Sequence, residues 1–138
     1  MKKKTKEPAK TRVIITVAVK HNGKYLILHR AKENRFDPKL WEPVSQRVAD
    51  KKPLEVLVLE AVKLRTGLDV TIEKAGSAFE FNDVEGRWIV VPFLANSDSD
   101  IITLTKEHDD HKWVDASEIE KLDEDKFIIE NFKALEII

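Results

Sequence analysis

Two sets of side chains in this sequence have the types and spacing to do chemistry. The first is the acidic run Glu107-His108-Asp109-Asp110-His111. Imidazoles three residues apart, flanked by carboxylates, are donors a divalent metal accepts. Histidines at that spacing in a loop have no fixed geometry, however, and charge runs in loops are usually solvated. The expectation is therefore no metal site. The second set is cationic: Arg47, Lys52 and Arg65. Guanidinium and ammonium groups make charge-assisted hydrogen bonds to phosphate oxygens, so these residues could hold a phosphate-bearing ligand directly. The plainer alternative is that they are ordinary surface cations. Glu80, Asp83 and Glu85 could add acids to a cleft, with a solvated hairpin end as the simpler reading, and Trp88 suits the core or a cleft wall.

The cations bracket one helix, within residues 46–68. Pro53 suits the first helical position, where a missing N–H costs nothing. Gly67 suits the residue just past the helix end, where a left-handed backbone is wanted. Between them lie Leu54, Val56, Leu57, Val58, Leu59, Ala61, Val62 and Leu64. A surface helix shows one apolar stripe; this one is apolar on more than one face, which predicts packing on more than one side.

Around that helix the chain reads as strands. Residues 12–20 are β-branched and apolar, a buried strand. Asn22-Gly23 is a two-residue hairpin turn, and 24–30 return with Tyr25, Ile27 and His29 facing one way and Leu26, Leu28 and Arg30 the other. A charged loop at 31–41 leads into 42–49, which runs toward the helix. Strands follow at 69–74, 75–83, 87–97, 101–104 and 111–114, with a loop at 105–110. Pro92 places its strand at a sheet edge or a bulge. Asp115 and Glu118 form a capping box, with Ser117 as a competing cap, and a last helix covers about 125–136. This order argues an α+β or α/β layered domain.

The chain has 138 residues, 42% hydrophobic and 36% charged, which suits one domain with a real core. Residues 1–11 are a basic tail, and 12–138 form the domain. The tail could contact phosphate or RNA, although a solvated terminus is the simpler expectation. A net charge of −1 gives no global field toward nucleic acid or membrane. There are no cysteines, hence no disulfide or thiolate zinc site. No apolar run approaches the roughly 20 residues that span a bilayer. A soluble, cytoplasmic protein without a membrane partner is expected.

Residues 46–68 also resemble a Nudix box, GX5EX7REUXEEXGU with U aliphatic. Gly67 and Leu68 match the closing G-U, Val62 matches the inner U, and Trp41-Glu42 matches the tryptophan that enters the box. The polar positions depart from the motif. Gln46 stands for its glycine, Lys52 for its first glutamate and Glu60 for its arginine, while Ala61, Leu64 and Arg65 stand for the glutamates of the REUXEE core. Further on, Glu107-His108, Trp113-Val114 and Glu118 resemble the E-H-x-x-x-x-W-V-x-x-x-E ending common in that family, and Arg30 sits where Nudix members often carry a substrate-facing arginine. The resemblance covers about residues 12–122 and sharpens the fold to an α/β/α layered α+β domain, a mixed sheet between helices.

Nudix hydrolases cleave a diphosphate linked to another moiety, using Mg²⁺ or Mn²⁺ held by the box glutamates. Such cations take oxygen ligands, which Leu57, Ala61 and Leu64, spaced i, i+4 and i+7 on that helix face, cannot supply by side chain. The matched charged positions change from net −3 in the motif to +1 here, which should repel a divalent cation. The resemblance therefore implies a Nudix-fold protein that has lost metal-dependent pyrophosphohydrolysis and needs no cofactor. It would act as a binding or interaction module, with Arg30, Arg47, Lys52 and Arg65 on the phosphate of a nucleotide or similar molecule. Alternatively the Leu57/Ala61/Leu64 stripe packs on a protein partner or a second copy, unless loop residues such as Phe36 or Leu40 cover it. A divergent hydrolase is the other alternative, with Mg²⁺ or Mn²⁺ on Glu60, Glu107 and loop acids. In some family members a glutamate near the Glu107 position is the proposed general base, so Glu107 is the catalytic candidate. An RNA-associated protein using the basic tail is the last.

Overall fold

A computed structural model describes residues 10–32, 40–122 and 126–138. The proposed RNA-contacting tail and Phe36 fall outside these residues, apart from positions 10 and 11 of the tail.

The long apolar stretch forms the spine of the sheet, β1 (Thr11–His21). It turns at Asn22 and Gly23, both at positive φ (49° and 75°), into β2 (Lys24–Arg30). Two short strands follow, β3 (Trp41–Glu42) and β4 (Val44–Arg47), and lead into α1 (Leu54–Thr66). Then come β5 (Val70–Ala75), β6 (Phe79–Asp83), β7 (Gly86–Ser97) and β8 (His108–Val114), followed by α2 (Ala116–Glu120) and α3 (Lys126–Ala134). The eight described strands form one mixed sheet with the path β3-β2-β1-β7-β5. Off that path, β4 pairs with β1, β6 with β7 and β8 with β2. β1 and β7 run parallel from Thr11↔Arg87 to Lys20↔Asn96; the other pairings are antiparallel.

Alternation along the strands makes two cores, one on each sheet face. Ile15, Val17, Val19, Leu26 and Leu28 pack under α1 against Leu57, Val58, Ala61 and Val62. Ala18, Ile27 and Leu94 face the other way, onto Ile119 of α2, Ile128 and Phe132 of α3, and Leu135 just beyond it. Helices cover both faces, so the layers are α/β/α as expected. Buried Asn131 of α3 hydrogen-bonds Thr16 of β1 and donates to the Phe127 carbonyl at 2.9 Å, which fixes α3 on the sheet.

Several local expectations change. Pro53 is the residue before α1, at φ −54° and ψ 143°, rather than its first helical residue. Its carbonyl accepts the first bonds of the helix, from Val56 and Leu57. Gly67 closes α1 at φ 79°, as predicted, with its N–H on the Lys63 carbonyl. α1 packs on one side only: Val56, Leu59 and Leu64 are 41%, 42% and 62% exposed. One sheet face lies beneath the helix and nothing among the described residues covers the opposite side, so its extra apolar residues stay in water. Residues 101–104 form no strand; the Thr103 N–H instead donates to the Thr66 carbonyl, and this stretch seals the end of α1. β8 begins at His108, three residues earlier than expected, because 108–111 pair with 28–30 of β2. Pro92 sits inside an internal strand. It needs no edge because β5 has ended at Ala75 and β6 has not begun at Phe79 where its missing N–H falls. The Asp115–Glu118 capping box forms, and Ser117 supports it by donating to Asp115 at 2.7 Å.

In that gap between β5 and β6 the chain touches α3. A Cβ on Gly76 would lie 2.6 Å from the Ala134 carbonyl oxygen and 2.9 Å from Leu135 Cδ2. Gly76→Ala must push the end of α3 off the sheet, an overpacking cost of about 1–3 kcal/mol. A urea midpoint equal to the wild type would refute that close approach.

Candidate functional site

A cleft of about 910 Å³ opens between the α1/β4 side of the sheet and the β6/α3 side. Its floor is built on one buried carboxylate. Glu42, on β3, is 4% exposed. Arg30 reaches it from β2 with two nitrogens, Nε to Oε2 at 2.9 Å and Nη2 to Oε1 at 3.2 Å. His108 Nε2 lies 2.9 Å from Oε2, and the Ser45 hydroxyl donates to Oε1 at 2.8 Å. Burial pushes the Glu42 carboxyl up, but the hydrogen bonds of His108 and Arg30, the Arg30 charge and the Ser45 hydroxyl outweigh it and hold it at about 2. The carboxylate is thus an acceptor at all ordinary pH, which requires His108 to carry its proton on Nε2. His108 Nδ1 is buried without a hydrogen-bond partner.

Above this floor stands Arg65, in the last turn of α1. Its Nε donates to the Ser45 carbonyl at 2.9 Å, Nη2 to Gln46 Oε1 at 2.9 Å, and Nη1 to Glu107 at 2.6 Å. Its side chain is 15% exposed. Arg47, at the end of β4, points to the mouth of the cleft, where its guanidinium lies 5.8 Å from the Trp88 ring centre. Arg12 approaches the same ring at 5.4 Å. Unlike Arg30 and Arg65, Arg47 makes no ion pair among the described residues. Lys106 completes the cationic side of the lining.

The opposite wall is aromatic. Phe81 stacks on Trp88 at 6.1 Å with 9° between the planes, and meets Phe127 of α3 edge-on at 5.5 Å. Phe79 lies 6.4 Å from Phe127. Trp88 is buried as the back of this wall and donates from Nε1 to Asp83 at 2.9 Å. A flat ring could lie along this wall while an anionic group meets Arg47 and Arg65.

Of the residues singled out from sequence, Arg30, Arg47, Arg65 and Glu107 line this one cleft, as do Glu80 and Asp83. Lys52 does not. It pairs with Glu60 at 3.1 Å, both about half exposed, a surface contact worth less than about 1 kcal/mol. Leu57 and Ala61 lie in the core, while Leu64 is exposed, so the three do not form one surface stripe. The core covers Leu57 and Ala61; Leu40 instead lines the cleft. Glu42, Ser45, Gln46 and the three phenylalanines were not anticipated as site residues. For Glu42 the signal was there: it is the single acid between Leu40 and Ala49 in an otherwise apolar and polar stretch.

The side chains present do not fit a divalent cation. The four glutamate positions of the motif carry a lysine paired with Glu60, a core alanine, an outward leucine and a paired arginine. The acidic run is divided among separate partners: His108 on Glu42, Asp109 on His29 at 2.5 Å, and Asp110 on the His111 N–H at 2.8 Å. Among the described residues no three His, Asp or Glu side chains are grouped to hold a metal.

No protein-family model matches the sequence, and no curated protein does either. Solved structures do match it. The MutT protein of Methanosarcina mazei superposes with a TM-score of 0.73 at 20% identity, covering 83% of each chain. A Nudix hydrolase from Nitrosomonas europaea gives 0.77 at 11% identity, over 92% of this chain and 89% of that one. A C. elegans Ap4A hydrolase gives 0.68 at 17% identity, over 91% and 96%. The fold of this chain is that of the Nudix hydrolases.

Proposed function

We propose that this protein is a Nudix-fold binding module that has lost metal-dependent pyrophosphohydrolase chemistry and takes a nucleotide or another phosphate-bearing small molecule in its cleft. One observation carries this reading. The carboxylates Glu42 and Glu107 are each held by a guanidinium, of Arg30 and Arg65, while Arg47 lines the cleft without an ion pair among the described residues. Such a surface offers hydrogen-bond donors to an anion, and among the described residues no three His, Asp or Glu side chains are grouped to hold a cation. The aromatic wall of Phe79, Phe81 and Phe127 supports a ligand with a flat ring. The C. elegans neighbour is named for a dinucleotide substrate, which favours nucleotides among phosphate-bearing ligands.

The test is calorimetric titration with nucleoside triphosphates, dinucleoside polyphosphates and ADP-sugars in EDTA and again with Mg²⁺, alongside an assay of phosphate release. The expected result is binding that survives EDTA and no turnover. Robust Mg²⁺-dependent release, abolished by a point substitution in the cleft, would overturn it. In that case Glu107→Gln and Glu60→Gln would show whether those carboxylates had been recruited to the chemistry.

A second reading, contact with a protein partner, draws on Val56, Leu59 and Leu64, the exposed apolar side chains of α1. Its form differs from the stripe expected from sequence, since Leu57 and Ala61 are committed to the core.

A further inference from the structure

We infer that the Arg65 guanidinium is a built-in cation that occupies the oxygen donors of this cleft and excludes a divalent metal ion, and that reversing its charge opens the cleft to metal. The inference deepens the binding reading above, on which its account of the ligand rests.

The geometry around Arg65 is a cage of oxygens. The Ser45 carbonyl, Gln46 Oε1 and the Glu107 carboxylate approach at 2.9, 2.9 and 2.6 Å, each on a different guanidinium nitrogen. Two come from β4 and the third from the turn before β8, so the tertiary fold, not α1 alone, assembles them. One backbone carbonyl, one amide oxygen and one carboxylate are hard donors of the kind that Mg²⁺ or Mn²⁺ accepts. Here they surround a fixed positive charge instead. Because the side chain is 15% exposed, water screens that charge poorly, and a second cation brought to the same oxygens would be strongly repelled.

A separate pair, between the loop before α1 and the helix itself, points the same way. At the first-glutamate and arginine positions of the motif stand Lys52 and Glu60, and these two are in contact at 3.1 Å. Relative to the motif both of these charges are reversed. Inversion of charge at Lys52, Glu60 and Arg65 is thus met by an internal partner at each site. The cleft is electrostatically complete without a metal, and an incoming phosphate meets Arg65 directly, in competition with Glu107.

The test uses Mn²⁺ alone, with no nucleotide, so its failure is distinct from failure of the ligand-binding reading. The full chain is titrated with Mn²⁺, and free ion is read by electron paramagnetic resonance, for wild type, R65E, R65Q and the R65E/E107Q double variant; circular dichroism checks folding. R65E is expected to bind Mn²⁺ about tenfold or more tighter than wild type, from replacing a repelling charge by a ligating one. Adding E107Q should remove most of that gain. Wild type binding Mn²⁺ as tightly as R65E would overturn the inference, as would R65E/E107Q binding as tightly as R65E. Should R65E fail to fold, R65Q decides. This uncharged variant is expected to bind several-fold tighter than wild type, and unchanged binding would overturn the inference.

Discussion

Glu42→Ala is expected to cost about 3–5 kcal/mol of folding stability, the range for removing one partner of a buried ion pair. The Arg30 and His108 side chains are 14% and 3% exposed. Both aim at the carboxylate, and alanine would leave a guanidinium and an imidazole N–H facing each other in a dry pocket. The measurement is the urea midpoint at pH 7 for wild type, Glu42→Ala and Glu42→Gln. Glutamine keeps the shape and one acceptor oxygen, so it should fall between the other two.

The same carboxylate predicts a pH dependence. Its folded value of about 2 lies below the ordinary 4.5, so the unfolded chain takes up its proton first as pH falls. The stabilisation is therefore fully present above about pH 4.5 and is lost between there and pH 2. At full strength it amounts to about 3 kcal/mol, since each tenfold difference in proton affinity between the folded and unfolded chain is worth about 1.4 kcal/mol. Removing the titrating group should flatten this acid limb in Glu42→Gln. Parallel loss of stability in wild type and Glu42→Gln over that window would show that Glu42 is not its source.

Arg47→Ala is expected to weaken binding of a phosphate-bearing ligand about 10- to 100-fold, corresponding to the 1.5–3 kcal/mol of a hydrogen bond to a charged group. Arg47 is the informative position because it pairs with no carboxylate among the described residues, so its removal leaves the ion-pair network of the floor intact. Glu107→Gln should act in the opposite direction. It weakens the internal competitor for Arg65, so affinity should rise. Titration of the two variants with one nucleotide in EDTA reads both effects. If Arg47→Ala binds as wild type does, the ligand's anionic end does not lie at the mouth of the cleft.

Much of this fold was legible because its signals are local. The Asn22-Gly23 turn, the left-handed Gly67 at the end of α1 and the Asp115–Glu118 capping box each depend on backbone preferences and hydrogen bonds within a few residues. Period-two apolar patterning on β2 likewise foretold that Leu26 and Leu28 share one face and Tyr25 and Ile27 the other. The box frame in residues 46–68 pointed to the fold because it survives in the apolar positions and the closing glycine, which serve packing and turn geometry. Which charges would be free could not be read in the same way. Arg65 finds its acceptors 19, 20 and 42 residues away, and Glu42 meets His108 across 66. Arg47 and Lys52 look alike in sequence, yet one reaches the cleft and the other is taken up by Glu60. The exposed side of α1 and the loss of a strand at 101–104 have the same origin. Residue types and spacing by themselves determined the helices, the turns and the layered fold. Pairing, burial and the sign of the cleft were decided only when β1, β7 and β8 brought distant segments together, because those energies depend on neighbours that chain order does not specify.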